Sequence, residues 1–146
     1  MKNALIIHHS KSGTTRQFGN ELKLYCLRKG IKTNIIPIEE FKNNDLNKID
    51  YLFLGTWTKG FVFFAQHPDK NWKLFAKSIQ IPEKCKVILF TTYKISIGSM
   101  FTKMKKYLNS NVQNIILEIK SRNGILFNDI ENMIDDSISI NNSAVK

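Results

Sequence analysis

The chain has 146 residues, with 22 Lys and Arg against 12 Asp and Glu, so its formal net charge is +10 at pH 7. Its length suits one domain, and its hydrophobic content of 42% is typical of a globular protein. No apolar run is long enough to cross a bilayer, and the N-terminal residues lack the apolar region of a signal peptide. We therefore expect a cytoplasmic protein that does not associate with membranes.

Five short apolar runs, rich in Ile, Leu, Val and Phe, have the pattern of strands that are buried on both faces. These predicted strands are residues 4–8, 33–36, 51–54, 87–90 and 112–119.

Helical patterns separate the predicted strands. The first carries Phe18, Leu22 and Cys26 at a spacing of four residues, and Gly30 follows as a C-cap. The connection 37–49 has room for only a short helix. The predicted helices are residues 16–29, 71–78, 100–108 and 129–138.

This alternation predicts an α/β fold, a three-layer doubly wound sandwich around a five-stranded parallel sheet. We expect a single domain over residues 1–138 and a frayed tail over residues 139–146. In such a sheet, ligands bind beyond the carboxyl ends of the strands.

A hydroxyl-rich turn lies between the first predicted strand and the first predicted helix. Backbone N–H groups at a helix N-terminus attract anions, hydroxyl groups add donors, and glycine allows a close backbone approach. The turn matches neither of the two commonest nucleotide-binding motifs, and Ser and Thr at such turns also serve simply as N-caps. The candidate phosphate-binding residues are Ser10, Lys11, Ser12, Gly13, Thr14 and Thr15.

The sequence shows no catalytic residues and no metal site. Cys26 and Cys85 have no metal-ligand spacing, so we expect two buried thiols. His8 and His9 are adjacent on a predicted strand and point to opposite faces, so they cannot chelate one metal ion. We expect both to pack or to support a loop.

The positive charge is concentrated in the middle of the chain. Residues 57–106 contain ten Lys against two acids, Asp69 and Glu83. A basic region of this kind attracts acidic proteins, phosphates or nucleic acid. The chain carries no nucleic-acid-binding motif, so a nucleic-acid partner is not expected.

Three segments that follow predicted strands resemble the ligand loops of the flavodoxin family in its short-chain form. They are residues 10–15, residues 55–60 (Gly-Thr-Trp-Thr-Lys-Gly) and residues 91–98 (Thr-Thr-Tyr-Lys-Ile-Ser-Ile-Gly). The resemblance covers nearly the whole chain in order and spacing. The chain departs from the family in its strongly basic charge and in a third loop that is neither acidic nor glycine-rich.

The resemblance implies an FMN cofactor. The first loop would hold its phosphate, Trp57 would stack on the isoalloxazine, Gly60 would lie near N5, and Tyr93 would be the second aromatic residue. Lys59 and Lys94 would lie at the flavin rim and raise its potential. The residues that the second and third loops would contribute to FMN binding are Thr56, Trp57, Thr58, Lys59, Gly60, Thr91, Thr92, Tyr93 and Gly98.

Other roles remain open for these residues. Trp57 could be a half-buried packing residue, Tyr93 could cover an edge, Gly60 could serve a turn, and the lysines could be solvated. The apolar cluster at residues 61–64 could cover the flavin, contact a partner or pack under its loop.

By this resemblance the chain is an electron carrier that works between a reductase and an acceptor protein. Its basic face implies an acidic redox partner, and we expect a monomer. Two alternatives stay open: an FMN-dependent NAD(P)H or quinone oxidoreductase on the same fold, and a non-redox basic interaction module.

Overall fold

The computed structural model describes residues 1–59, 66–108, 112 and 114–144, with side chains as far as residue 139. The strands are β1 (Asn3–His9), β2 (Lys32–Pro37), β3 (Tyr51–Trp57), β4 (Lys86–Thr92) and β5 (Ile115–Ser121). The helices are α1 (Thr14–Arg28), α2 (Lys70–Ser78), α3 (Met100–Leu108) and α4 (Asn128–Ala144).

The strands form one parallel sheet in the order β2-β1-β3-β4-β5. Residues alternate between its two faces, and each face has its own core. Leu52 and Leu54 of β3 pack in the core that includes residues of α2 and α3. Phe53 packs in the other core, with residues of α1 and α4. The predicted doubly wound, three-layer α/β fold is confirmed.

The carboxyl ends of four strands lie level with one another. His9 of β1 is the register partner of Thr56, Trp57 of β3 is the partner of Thr92, and Thr92 is the partner of Ser121 in β5. All the loops that leave this edge therefore begin close together in space.

Several predicted boundaries were wrong at this edge. Thr56 and Trp57 belong to β3, and Thr91 and Thr92 belong to β4, whereas the sequence analysis assigned all four to loops. Threonine and tryptophan suit extended backbone, and pairing with the neighbouring strands continues both strands past the apolar run. Likewise α1 begins at Thr14, two residues before the predicted start.

The other differences concern the chain's second connection and its C-terminal part. The connection after β2 holds two short 3-10 helices, Ile38–Glu40 and Asn43–Leu46. β5 begins at Ile115 and ends at Ser121, so it is shifted toward the C-terminus from the predicted 112–119. The predicted end of the last helix at residue 138 was also wrong, since the α4 backbone is helical to Ala144.

The two cysteines are buried, free thiols, as predicted. Burial raises the pKa of both Cys26 and Cys85 to about 12. Neither thiol therefore ionises near neutral pH, which makes both poor nucleophiles and poor metal ligands.

Across the described residues, every helix is too short or too polar to span a bilayer.

Candidate functional site

A cavity of about 400 Å³ opens at the carboxyl edge of the sheet. This is the edge where parallel α/β sheets bind their ligands, and the volume suits a small molecule. Residues from four loops line it, and no carboxylate, histidine or cysteine is among the described lining residues. The described lining residues are Lys11, Ser12, Thr14, Trp57, Thr58, Lys59, Gln66, Thr92, Tyr93, Lys94, Ile95, Ser96 and Arg122.

The first loop presents the N-terminus of α1 to this cavity. Gly13 is the N-cap residue with a φ of 95°, and its N–H donates to Ser10 Oγ at 2.9 Å. The first N–H of the helical ladder is that of Gln17, which donates to the Gly13 carbonyl. The N–H groups of Thr14, Thr15 and Arg16 therefore have no partner within the helix and can bind an anion.

The space in front of this turn is open. A Cβ built on Gly13 would meet no atom within 4 Å. Ser12 is exposed, and its Oγ lies 3.3 Å from Oγ1 of Thr14. Two hydroxyl groups thus lie beside the helix N-terminus, next to open space at Gly13.

Buried threonines join the strand ends beneath the cavity. Thr15 Oγ1 lies 2.6 Å from Thr92 Oγ1, which ties α1 to β4. Thr91 Oγ1 donates to the Thr56 carbonyl at 2.7 Å and lies 2.9 Å from Thr58 Oγ1. Thr15, Thr56 and Thr91 are at most 1% exposed, so they support the site from behind and do not face its space.

Two aromatic side chains face the cavity. Trp57 is the last residue of β3, and its side chain is half-buried. Its indole Nε1 is buried and has no hydrogen-bond partner among the described residues. Lys11 Nζ lies 5.0 Å from the centroid of the Trp57 ring, a cation–π contact that joins the first loop to the second. Tyr93 follows β4, where its N–H donates to the Ser121 carbonyl at 3.2 Å.

The lining is strongly cationic. Four of its described side chains are the cations Lys11, Lys59, Lys94 and Arg122. Arg122 follows β5, and its Nε donates to the Lys94 carbonyl at 2.9 Å, so the fourth and fifth strand-end loops are joined. With no acid among the described lining residues, the cavity is an electropositive pocket that attracts anions.

The structure brings eight of the fifteen predicted site residues to this cavity: Lys11, Ser12, Thr14, Trp57, Thr58, Lys59, Thr92 and Tyr93. Six others are not among its described lining residues: Ser10, Gly13, Thr15, Thr56, Thr91 and Gly98. At Gly98 a Cβ would overlap the Gln66 side chain, so this glycine accommodates Gln66. Gly60 and the apolar cluster at residues 61–64 lie outside the described residues.

Comparisons with known proteins resolve the fold. No protein-family model and no curated protein matches the chain. Solved structures do. A short-chain flavodoxin associated with a non-canonical PDU bacterial microcompartment has a TM-score of 0.72 at 14% identity, with 99% of each chain covered. This chain has the flavodoxin fold.

Two further flavodoxins show the same likeness. The two-electron reduced flavodoxin of Megasphaera elsdenii has a TM-score of 0.72 at 16% identity, covering 93% of this chain and 98% of its own. The Fusobacterium nucleatum flavodoxin bound to flavin mononucleotide has a TM-score of 0.63 at 13% identity, with 99% of each chain covered. In this chain the cavity lies at the carboxyl edge of the flavodoxin-type sheet.

Two of the lining residues, Gln66 and Arg122, lie outside the three predicted loops. Arg122 was missed because the fifth strand was ended two residues early, and the loop after it was not considered. A search of every strand end would have found it. Gln66 gave no local signal, because it is the antiparallel bridge between Lys59 and His67 that brings it back to the site. Ile95 and Ser96 lie within the predicted third loop, although neither was singled out.

The two adjacent histidines face different surroundings, as strand alternation predicted. His9 Nε2 lies 2.6 Å from Asp69 Oδ2, in the loop before α2. His8 is buried, and its Nδ1 has no partner among the described residues. Burial is the largest cause that lowers the pKa of His8, and the positive charge of Arg16 adds to it.

We expect His8 to make the fold less stable in mild acid. The folded protein binds the His8 proton less readily than the unfolded chain, whose histidine has a pKa near 6.5. As the pH falls below about 6.5, protonation therefore favours the unfolded state. Urea unfolding should show a smaller loss of stability between pH 7 and pH 5 in His8→Asn than in the wild type. Equal losses in the two proteins would refute this role.

Proposed function

We propose that this chain binds FMN in the cavity at the carboxyl edge of its sheet and acts as an electron carrier. The observation that carries the proposal is the meeting of two features at one cavity, the free N-terminus of α1 and the aromatic side chains of Trp57 and Tyr93. The flavodoxin fold, which a structure bound to flavin mononucleotide shares, supports it.

The residues present fit the two ends of this ligand. The open space before Gly13, the first-turn N–H groups of α1 and the hydroxyls of Ser12 and Thr14 suit a phosphate dianion. The flat faces of Trp57 and Tyr93 suit a fused aromatic ring, and the cations around the cavity suit the negative charge that reduction adds.

The described lining holds no histidine, carboxylate or cysteine, and its only side chains that could exchange a proton in acid–base catalysis are Tyr93 and the three lysines. Bound FMN supplies the redox chemistry, and the chain's residues bind it, orient it and set the local charge. This division of labour favours a carrier that exchanges electrons with other proteins. We propose that the carrier is a cytoplasmic monomer, and sedimentation of the purified protein tests its oligomeric state.

Titration of the purified, flavin-free protein with FMN tests the binding. We expect quenching of flavin fluorescence and a shift of the visible absorption bands at one FMN per chain. Riboflavin, which lacks the phosphate, is the matched ligand, and we expect it to bind at least tenfold more weakly. A protein that leaves the fluorescence of both flavins unchanged would overturn the proposal and favour the non-redox module.

Reduction of the FMN-loaded protein by NAD(P)H alone separates a carrier from a stand-alone reductase. A carrier should be reduced by dithionite but only very slowly by NAD(P)H without a partner protein. Rapid, saturable oxidation of NAD(P)H would show that the protein is a stand-alone reductase and not a carrier.

We propose an acidic protein as the redox partner, because four cations surround the cavity. The sign of this field is testable with small acceptors in stopped-flow oxidation of the reduced, FMN-loaded protein. The rate with anionic ferricyanide should fall steeply as salt is added, while the rate with a cationic cobalt(III) complex should rise. Rates that do not respond to salt, or that respond with the opposite sign, would contradict an acidic partner.

A further inference from the structure

The loop that follows β3 returns to the sheet before α2 begins, and its two described arms are joined. Lys59 N–H donates to the His67 carbonyl at 2.9 Å, and His67 N–H donates to the Lys59 carbonyl at 2.7 Å. These two bonds join the outgoing arm, which carries Trp57 and Lys59, to the returning arm. Whatever fixes the returning arm therefore also fixes this side of the cavity.

A pair of side chains joins the returning arm to β1, and Lys103 Nζ of α3 also donates to the Gln66 carbonyl of this arm at 2.8 Å. Asp69 Oδ2 lies 2.6 Å from His9 Nε2, while Asp69 Oδ1 accepts the Trp72 N–H at 3.0 Å and caps α2. The His9 and Asp69 side chains are only 11% and 16% exposed. A short hydrogen bond to a carboxylate, shielded from water, is stronger than a neutral one.

His9 connects this pair to the other side of the cavity. It is the last residue of β1, and the phosphate-binding loop begins at the next residue, Ser10. On its other ring nitrogen, Nδ1, His9 faces the exposed carboxylate of Glu39 at 3.7 Å. The His9–Asp69 bond thus joins the start of the phosphate loop to the returning arm, which is itself paired with the outgoing arm that carries Trp57.

The electrostatics of Asp69 agree with this placement. Burial raises the pKa of the carboxyl, but hydrogen bonds from the Trp72 N–H and His9, together with the nearby Trp57 indole, outweigh it, so the pKa lies below its usual range. Asp69 is therefore ionised at neutral pH. Its carboxylate lies near the indole of Trp57, whose buried Nε1 has no partner at hydrogen-bond distance among the described residues.

We propose that His9 and Asp69, here called the clasp, are positioning residues that hold residues 57–59, at the end of β3 and the start of the loop after it, at a fixed distance from the phosphate loop, residues 10–15. The inference rests on the proposed function, since the two loops would bind opposite ends of FMN. With this fixed spacing, one FMN molecule can place its phosphate in the first loop and stack its ring on Trp57 at the same time. A ligand that uses only one end of the cavity does not need this fixed spacing.

The variant Asp69→Ser tests the bond to His9 separately from the second role of Asp69, which is to cap α2. Serine is as good an N-cap as aspartate, so α2 keeps its start, but serine is too short to reach His9. Asp69→Asn is the matched control, because its amide oxygen can cap α2 while the side chain still reaches His9. The measured quantity is the ratio of riboflavin to FMN dissociation constants, which reports how well phosphate and ring are bound together.

We expect Asp69→Ser and His9→Gln each to lower this ratio about tenfold, and Asp69→Asn to stay within threefold of the wild type. The double variant His9→Gln/Asp69→Ser should be no worse than either single variant, because both remove the same bond. A purely structural role would lower the melting temperature and leave the ratio unchanged. An unchanged ratio in Asp69→Ser would therefore overturn the clasp.

A second measurement needs no flavin, and so it separates failure of the clasp from failure of the proposed function. The chain has two tryptophans, and Trp72 is fully buried, so acrylamide quenching reports chiefly on Trp57. We expect the quenching constant of the flavin-free protein to rise at least twofold in Asp69→Ser and to stay near the wild-type value in Asp69→Asn. Equal quenching in all three proteins would refute the clasp even if none of them binds FMN.

Discussion

Replacing Ser12 by aspartate is expected to weaken FMN binding about 100-fold while leaving the fold at least as stable as the wild type. Ser12 lines the cavity beside the N-terminus of α1, where the phosphate would lie. Two unit charges about 5 Å apart at an effective dielectric constant of about 20 repel by about 3 kcal/mol, and salt screening at this exposed position offsets the effect of the phosphate's second charge. The same carboxylate interacts favourably with the helix N-terminus, so binding and stability should change in opposite directions.

Ser12→Asn is the matched control, because asparagine has nearly the same shape as aspartate without its charge. FMN titration should give a dissociation constant within about fivefold of the wild type for Ser12→Asn and about 100-fold higher for Ser12→Asp. Riboflavin should bind the two variants alike. If aspartate and asparagine weaken FMN binding equally, the phosphate does not lie at this turn, and the hydroxyl-rich loop is only a helix cap.

Local patterns predicted the core of the fold, but not where the strands end. Buried strands and helix faces are recognisable because apolar residues recur with their own period, as at Phe18, Leu22 and Cys26. Thr56 and Thr91 are polar, so the sequence analysis placed them in loops. In the structure their backbones pair with neighbouring strands. Pairing depends on residues far away in sequence, and so local composition could not reveal it.

The same limit applies to the candidate site. The turn at residues 10–15 was identified because a strand, hydroxyl groups, a glycine and a helix follow one another within a few residues. The pairing of His9 with Asp69 spans 60 positions, and Arg122 reaches the cavity from the far end of the sheet. Strand alternation predicted that His9 would not share a ligand with His8, but only the three-dimensional structure places Asp69 beside it.

The end of the last helix was a further feature that local sequence did not predict. Residues after 138 are rich in Ser and Asn, which have modest helix propensity, and the sequence analysis treated them as a tail. The helical backbone continues to Ala144. Propensity is a weak guide once a helix has started, because each further residue adds a hydrogen bond without a new nucleation cost.

Gly55→Ala is expected to destabilise the protein by about 3 kcal/mol, which corresponds to a fall of about 10 °C in melting temperature. Gly55 is buried in β3, and its register partner on β4 is Phe90. A Cβ at this position would overlap the Phe90 ring. That ring packs edge-on against Phe18 of α1, with centroids 5.8 Å apart, and is itself fully buried, so it has little room to move.

A second substitution at the neighbouring position tests this explanation. Phe90→Leu alone should cost stability because it leaves a cavity, but in the Gly55→Ala background it should restore at least half of the loss, since the smaller side chain makes room for the new methyl group. Gly30→Ala is the control, because Gly30 has open space around it and a φ of 78°, so only a backbone cost of about 1 kcal/mol is expected there.

The alternative role for Gly55 predicts a different result. Gly55 lies two residues before Trp57, in the segment that resembles a flavin loop, so the missing side chain could instead allow a ligand to approach. In that case Gly55→Ala would weaken FMN binding while the melting temperature stayed near the wild-type value, and Phe90→Leu would rescue nothing. Loss of stability with rescue by Phe90→Leu would show that the aromatic ring on the adjacent strand requires this glycine.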